Sequence, residues 1–245
     1  MNEIRLLKAV GFPKATHIMR TLPYNQLEDK LNPVQKKVIS DHVVSRGIRI
    51  LATIQTNNTN IEPFESETER YDSIILLLVS VHDLRKSNQI YKMFMNIIPN
   101  PLVILFFDGS NTKWILATHI KKKDGFLTHD RVYEFNKIIM KNAEQFLEFD
   151  SFNKDNLKLF YESWIEQLLH LELKARYNIY APVSLESNLL EELVIMDSQI
   201  EDYIKRAKQE KQLNKRIEMQ QAANRIKLRK QSILEKKNKK GEQND

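Results

Sequence analysis

The run Ile74-Ile75-Leu76-Leu77-Leu78-Val79 constrains the fold of this chain more than any other feature. Successive side chains of a strand point to opposite faces, so a strand with water on one side alternates apolar and polar residues. This run is apolar on both sides. It therefore predicts a central strand, Tyr71 to Val81, in a sheet covered on each face. No apolar stretch in the chain is longer, and this one is far too short to cross a membrane.

The flanking segments supply the rest of an α/β domain. Asn32-Pro33 predicts a capped helix start with Pro in the first turn. Gly47 opens a strand, Ile48 to Ile54, followed by a polar loop at Thr56 to Asn60 and an acidic connection at Glu62 to Glu69. Asp83 predicts the cap of a helix in which Leu84, Ile90, Tyr91, Phe94 and Ile97 recur at helical spacing. Pro99 and Pro101 stop that helix, and Leu102 to Phe107 is a second buried strand. Asp108-Gly109-Ser110-Asn111 predicts a turn into a returning strand, Trp114 to Ile120. A helix between two buried strands implies a right-handed crossover and a parallel pair. Arg131 to Phe135 is a candidate further strand, and Asn156 to Leu173 a helix. The expected fold class is α/β: a mixed sheet with a β-α-β crossover and a β-hairpin, flanked by helices, over residues 1–178.

Beyond Pro182 there is no proline, and no glycine before Gly241. Leu189, Leu193, Met196, Ile200, Tyr203 and Ala207 follow a 4-3-4-3-4 spacing, the pattern of a coiled-coil seam. The seam predicts homo-oligomerisation through Leu189, Leu193, Met196, Ile200 and Tyr203, since one helix cannot bury it alone. Residues 185–238 as a single helix would span roughly 80 Å at about 1.5 Å per residue. A disordered tail is expected at residues 239–245.

Charge separates the two parts. The net charge is +6, yet Lys205 to Lys240 holds fourteen Lys and Arg against three Glu, a balance of +11. With Glu242 and Asp245 acidic, residues 1–204 carry −3. Such asymmetry predicts a polyanionic or acidic partner for the tail. Lys211, Lys215, Arg216, Arg225, Lys227 and Arg229 are the candidate contacts to the phosphates of DNA or RNA. No aromatic residue follows Tyr203, so the tail has no base-stacking platform.

Evidence for catalysis is thin. Cysteine is absent, which removes thiol nucleophiles, disulfides and thiolate metal sites. No two of the six histidines are closer than ten residues, so no helical metal pair exists. The five glycines are scattered, against a phosphate-cradling loop. No Gly-x-Ser-x-Gly elbow occurs. A restriction-type nuclease needs Glu/Asp-x-Lys on a central strand, to hold a metal and steady the attacking water. The triplets at Glu28, Glu172 and Glu235 all fall in expected helices. The remaining catalytic candidates are Asp83 and Asp108, which follow the two buried strands and would share the carboxyl edge of a parallel pair. Their local roles as helix cap and turn residue account for them better than catalysis does. No metal or cofactor is expected.

Three stretches resemble one bacterial family of unknown function: Gly11-Phe12-Pro13-Lys14-Ala15-Thr16, the segment Ile97-Ile98-Pro99-Asn100-Pro101-Leu102-Val103-Ile104-Leu105, and Lys208 to Glu218 within the basic tail. Their order and spacing match from end to end. Between Ile54 and Asp72 the chain departs from the usual pattern. Members are encoded beside superfamily-two helicases and DNA methyltransferases in restriction-like or anti-phage gene clusters. The resemblance implies a non-enzymatic accessory subunit docking on one of those proteins. The alternatives are a metal-dependent nuclease or phosphodiesterase using Asp83 and Asp108, and a self-assembling scaffold. Met1 to Val10 lacks the apolar core of a signal peptide, so a cytoplasmic, membrane-free location is expected.

Overall fold

The computed structural model describes residues 11–121, 127–136, 147–181 and 183–241. The chain forms two compact units, Met1–Leu171 and Glu172–Asp245.

The first unit is built on a six-stranded sheet of order β1-β2-β5-β6-β7-β8. Its strands are β1 (His17–Thr21), β2 (Val43–Gln55), β5 (Ser73–Val81), β6 (Leu102–Phe107), β7 (Thr112–Lys121) and β8 (Leu127–Phe135). A separate hairpin pairs β3 (Phe64–Glu65) with β4 (Arg70–Tyr71). Helices α1 (Pro33–His42), α2 (Ser87–Ile97) and α3 (Leu157–Tyr177) flank the sheet, and the boundary between units falls within α3.

The two buried strands behave as their composition requires. β5 and β6 pair in parallel, with Leu77 opposite Ile104, and α2 is the crossover between them. All other pairings in the sheet are antiparallel. One face of the pair, with Leu77, Val79, Ile104 and Phe106, packs on Ile90, Tyr91 and Phe94 of α2 and Ile39 of α1. The other face meets α3, where Trp114 of β7 lies 6.2 Å from Trp164. Asn32 caps α1 through a capping box with Gln35, and Pro33 takes the first position, as expected.

Several elements differ from expectation. β2 begins at Val43 rather than at Ile48, because a register shift lets the strand pass through Gly47 without ending. A Cβ at Gly47 would lie 2.6 Å from the Val44 carbonyl oxygen and 2.8 Å from that of Ser80. Only glycine fits there. The edge strand β1 was not legible in the sequence. The acidic connection Glu62 to Glu69 contributes β3 and the turn of the β3–β4 hairpin, while Tyr71 belongs to β4 and the central strand starts at Ser73. Helix α3 holds the hairpin in place: Lys158 donates to Glu69 at 2.6 Å, and Leu157 N–H donates to the Glu62 carbonyl at 2.8 Å.

Two tyrosines meet where the β6–β7 ladder ends. The ladder runs only from Ile104 to Phe107 on β6, leaving Leu102 and Ala117 outside it. Tyr161 of α3 fills the gap. Its hydroxyl donates to the Leu102 carbonyl at 2.9 Å and accepts from the Ala117 N–H at 3.1 Å. Tyr91, from α2 on the opposite face, donates to the same carbonyl at 3.3 Å. Both side chains are fully buried, and burial pushes both phenols far above their ordinary range.

Tyr161→Phe strands a buried N–H, so it should destabilise the chain by about 1–3 kcal/mol in denaturant unfolding. Tyr91→Phe should cost less, because Leu102 keeps its Tyr161 partner. Equal losses for the two variants would contradict this assignment.

Candidate functional site

The second unit explains the C-terminal seam differently from a long helix. Helix α4 (Leu189–Gln209) ends, and α5 (Leu213–Gly241) follows after three residues. The break needs neither glycine nor proline. Glu210 leaves helical geometry, and its carboxylate accepts the Gln212 N–H at 2.8 Å. The Gln212 carbonyl then starts α5 by accepting from Arg216 N–H at 3.0 Å. The continuous helix expected over 185–238 is thus a hairpin, and helix persists through residues 239–241 of the expected tail. Residues 242–245 lie outside the described residues.

The hairpin turns the seam inward. Leu189, Leu193, Met196 and Ile200 are buried within one chain, and Tyr203 is half-buried. Ion pairs join the helices antiparallel, Arg229 to Glu192 at 2.9 Å and Lys230 to Asp197. That register brings Ala223, 2% exposed, level with Ile200. The seam therefore no longer requires a second copy of the chain, and an intermolecular coiled coil is not established.

Asp197 organises the unit. Besides Lys230 it accepts the Tyr177 hydroxyl at 2.8 Å, and the Lys230 ammonium lies 4.8 Å from the centre of the Tyr177 ring. Burial alone would raise the Asp197 pKa, but the hydrogen bonds from Lys230 and Tyr177 outweigh it and hold the carboxyl below its ordinary range. The folded state thus gains stability from this carboxylate above the ordinary aspartate pKa, and loses it as pH falls through the depressed value.

Five of the six basic candidates differ from the sixth in their charge pairing. Lys211, Lys215, Arg216, Arg225 and Lys227 are exposed and form no ion pair among the described residues. Arg229 differs, because its charge is met by Glu192. Sequence reasoning missed this pairing because the acids that answer α5 lie some thirty-five residues earlier, on α4. Lys215 and Lys227 stand about 18 Å apart along the axis, at about 1.5 Å per residue.

Asp83 and Asp108 do follow β5 and β6 at the same edge of the parallel pair. Each is engaged locally. Asp83 accepts from Arg85 N–H at 2.9 Å and binds the Arg85 guanidinium at 3.0 and 3.1 Å, with His42 at 3.8 Å. The hydrogen bonds from the Arg85 side chain and backbone lower its pKa to about 2. Asp108 accepts from Ser110 and Asn111 N–H at 3.0 and 2.7 Å, and those backbone bonds lower its pKa. Asp72, at the opposite end of β5, pairs with Arg70. Among the described residues no three His, Asp or Glu are grouped to hold a metal ion. No helix among them is long and apolar enough to cross a membrane. The triplets at Glu172 and Glu235 lie in α3 and α5, and Glu28 ends a one-turn helix, so none is on a strand.

A family model covers residues 10–229, spanning the sheet, α4 and most of α5. The chain belongs to the domain of unknown function family DUF4391. No curated protein and no solved structure matches it.

Two measurements check these assignments. The Asp83 carboxyl carbon should titrate by NMR with a midpoint near the value of about 2 and move up toward the ordinary aspartate range in Arg85→Ala. A midpoint already in the ordinary range in the unaltered chain would remove Arg85 as its partner. A double-mutant cycle of Asp197→Ala and Lys230→Ala should show a coupling of about 0.5–1 kcal/mol, as befits a partly exposed pair. A coupling of zero would mean that this ion pair does not help to hold the hairpin.

Proposed function

We propose that this DUF4391 chain is a non-catalytic accessory subunit that contacts nucleic acid through α5, within a restriction-like or anti-phage defence system of the cytoplasm. Its partner there is a helicase or DNA methyltransferase from the same gene cluster, docked on the α/β unit. The observation that carries the nucleic-acid reading is the set Lys211, Lys215, Arg216, Arg225 and Lys227: exposed, and without ion pairs among the described residues. A solvated helix does not need such an excess, and repulsion within a cluster of one sign of charge costs stability. Phosphates relieve that repulsion and release condensed counterions, giving sequence-blind, salt-sensitive binding. The resemblance to proteins encoded beside helicases and methyltransferases supports the setting. The engagement of Asp83 and Asp108 in a cap and a turn supports an accessory over a hydrolytic role.

Fluorescence anisotropy with duplex and single-stranded probes across a salt series tests the contact. Binding should be weak, present at low salt, and lost when the five residues become Gln. Arg229→Gln should change little, since Glu192 already neutralises it. Undiminished binding by the five-residue variant would move the contact elsewhere. Absence of binding at low salt, with loss of helicase or methyltransferase co-purification in the same variant, would reassign the helix to an acidic protein surface.

A further inference from the structure

We infer that the α/β unit carries a second nucleic-acid contact: a cationic groove along α2 that holds the phosphates and base edges of a single strand. The inference takes its ligand class from the reading of α5, but its residues are separate. The groove, about 570 Å³, lies between the first turn of α1 and the outer face of α2, and is open along its length. Gln89, Lys92 and Asn96 share one stripe of α2, Arg85 lines the groove from the 3-10 turn (Leu84–Lys86) that precedes the helix, and all four are exposed. Lys86 stands beside the stripe, and no carboxylate lines the groove.

The charge available there is not consumed by the protein. Asp83 answers Arg85, but Lys86 and Lys92 form no ion pair among the described residues. The side chains of Gln89 and Asn96 likewise make no hydrogen bond among the described residues, whereas the Asn88 amide is committed to Glu134. Lysine offers phosphate a mobile point charge with three donors. A carboxamide offers a donor and an acceptor side by side, the pattern that matches the edge of an unpaired base. An acidic peptide would also meet both kinds of side chain, through its carboxylates and its backbone; a strand is favoured because it is the ligand class of the α5 region as well. An enclosed small-molecule site would bury most of its ligand, and this groove is open. A strand passing along α2 uses both kinds of side chain.

Four versions of the full chain separate this contact from that of α5: unaltered, Lys86→Glu with Lys92→Glu, the five-residue Gln variant of the α5 region, and the combination. Each is titrated with a single-stranded oligonucleotide and a duplex across a salt series, and cross-linked to a photoreactive thiouridine strand. The groove substitutions are at exposed positions, and unchanged thermal melting confirms that they fold. The groove variant should bind the single strand several-fold more weakly. Its dependence of log K on log salt should be shallower by about 1.4, for two phosphate contacts at about 0.7 each. Gln89→Ala with Asn96→Ala should weaken single-strand binding without changing that slope. Cross-links should fall within residues 85–96. The α5-region variant should keep residual single-strand binding that the combination loses, and this holds even if α5 itself contributes nothing. Unchanged affinity and slope in the groove variant, with cross-links confined to α5, overturns the groove and leaves the α5 contact standing. Loss of all binding in the α5-region variant, or binding of a polyglutamate peptide in place of the oligonucleotide, overturns it as well.

Discussion

The parallel pairing of β5 with β6 sets the terms for the rest of the first unit. Neither strand carries a polar residue on either side through most of its length, so water is excluded from both faces. The chain must then provide a layer on each side, and it does so with α1 and α2 below and α3 above. A parallel pair also requires a crossover, which fixes α2 on one face and brings its first turn to the carboxyl edge of the sheet. The outer face of α2, and with it the Gln89-to-Asn96 stripe, is a by-product of that crossover.

The same packing explains why two buried tyrosines stand where the β6–β7 ladder ends. Where β6 and β7 separate, the buried backbone still needs partners. Tyr161 enters from the α3 side and replaces the missing ladder bond with its hydroxyl, and Tyr91 reaches the same carbonyl from the α2 side. A phenol suits this position because it fills apolar volume along its ring and presents a hydrogen-bonding group only at its tip. The two helical layers are thereby joined through the sheet, and the sheet tolerates its own divergence at no unsatisfied bond there.

The second unit solves a different problem. Its apolar seam is narrow and its charge is segregated, acidic on the first half of α4 and basic on α5. Folding back on itself buries the seam and sets part of the basic segment against the acids, at Arg229 and Lys230. The cations near the turn find no such partner, because the facing part of α4 is itself basic at Lys205, Arg206 and Lys208. Positive charge therefore gathers about the turn of the hairpin, where Lys205, Arg206, Lys208, Lys211, Lys215 and Arg216 follow closely in sequence.

Local chemistry made much of this legible from the sequence. The two-sided apolar runs dictated the buried strands, the parallel pair and its helical crossover. Asn32, Asp83 and Asp108 were readable as caps and a turn, since a short polar side chain that bonds the backbone two or three residues on acts within one turn. The edge strand β1 was not readable, because five residues at a sheet edge leave too weak an alternation. Tertiary structure alone decided that Gly47 sits inside a bulged strand, where the approach of the Ser80 carbonyl excludes any side chain. It alone decided that the seam turns back within the chain, because Glu210 breaks the helix with no glycine or proline to announce it, and the acids that answer Arg229 and Lys230 are near only after folding. And it alone brought the first turn of α1 against α2, so that cations and carboxamides scattered along the sequence come to line one groove.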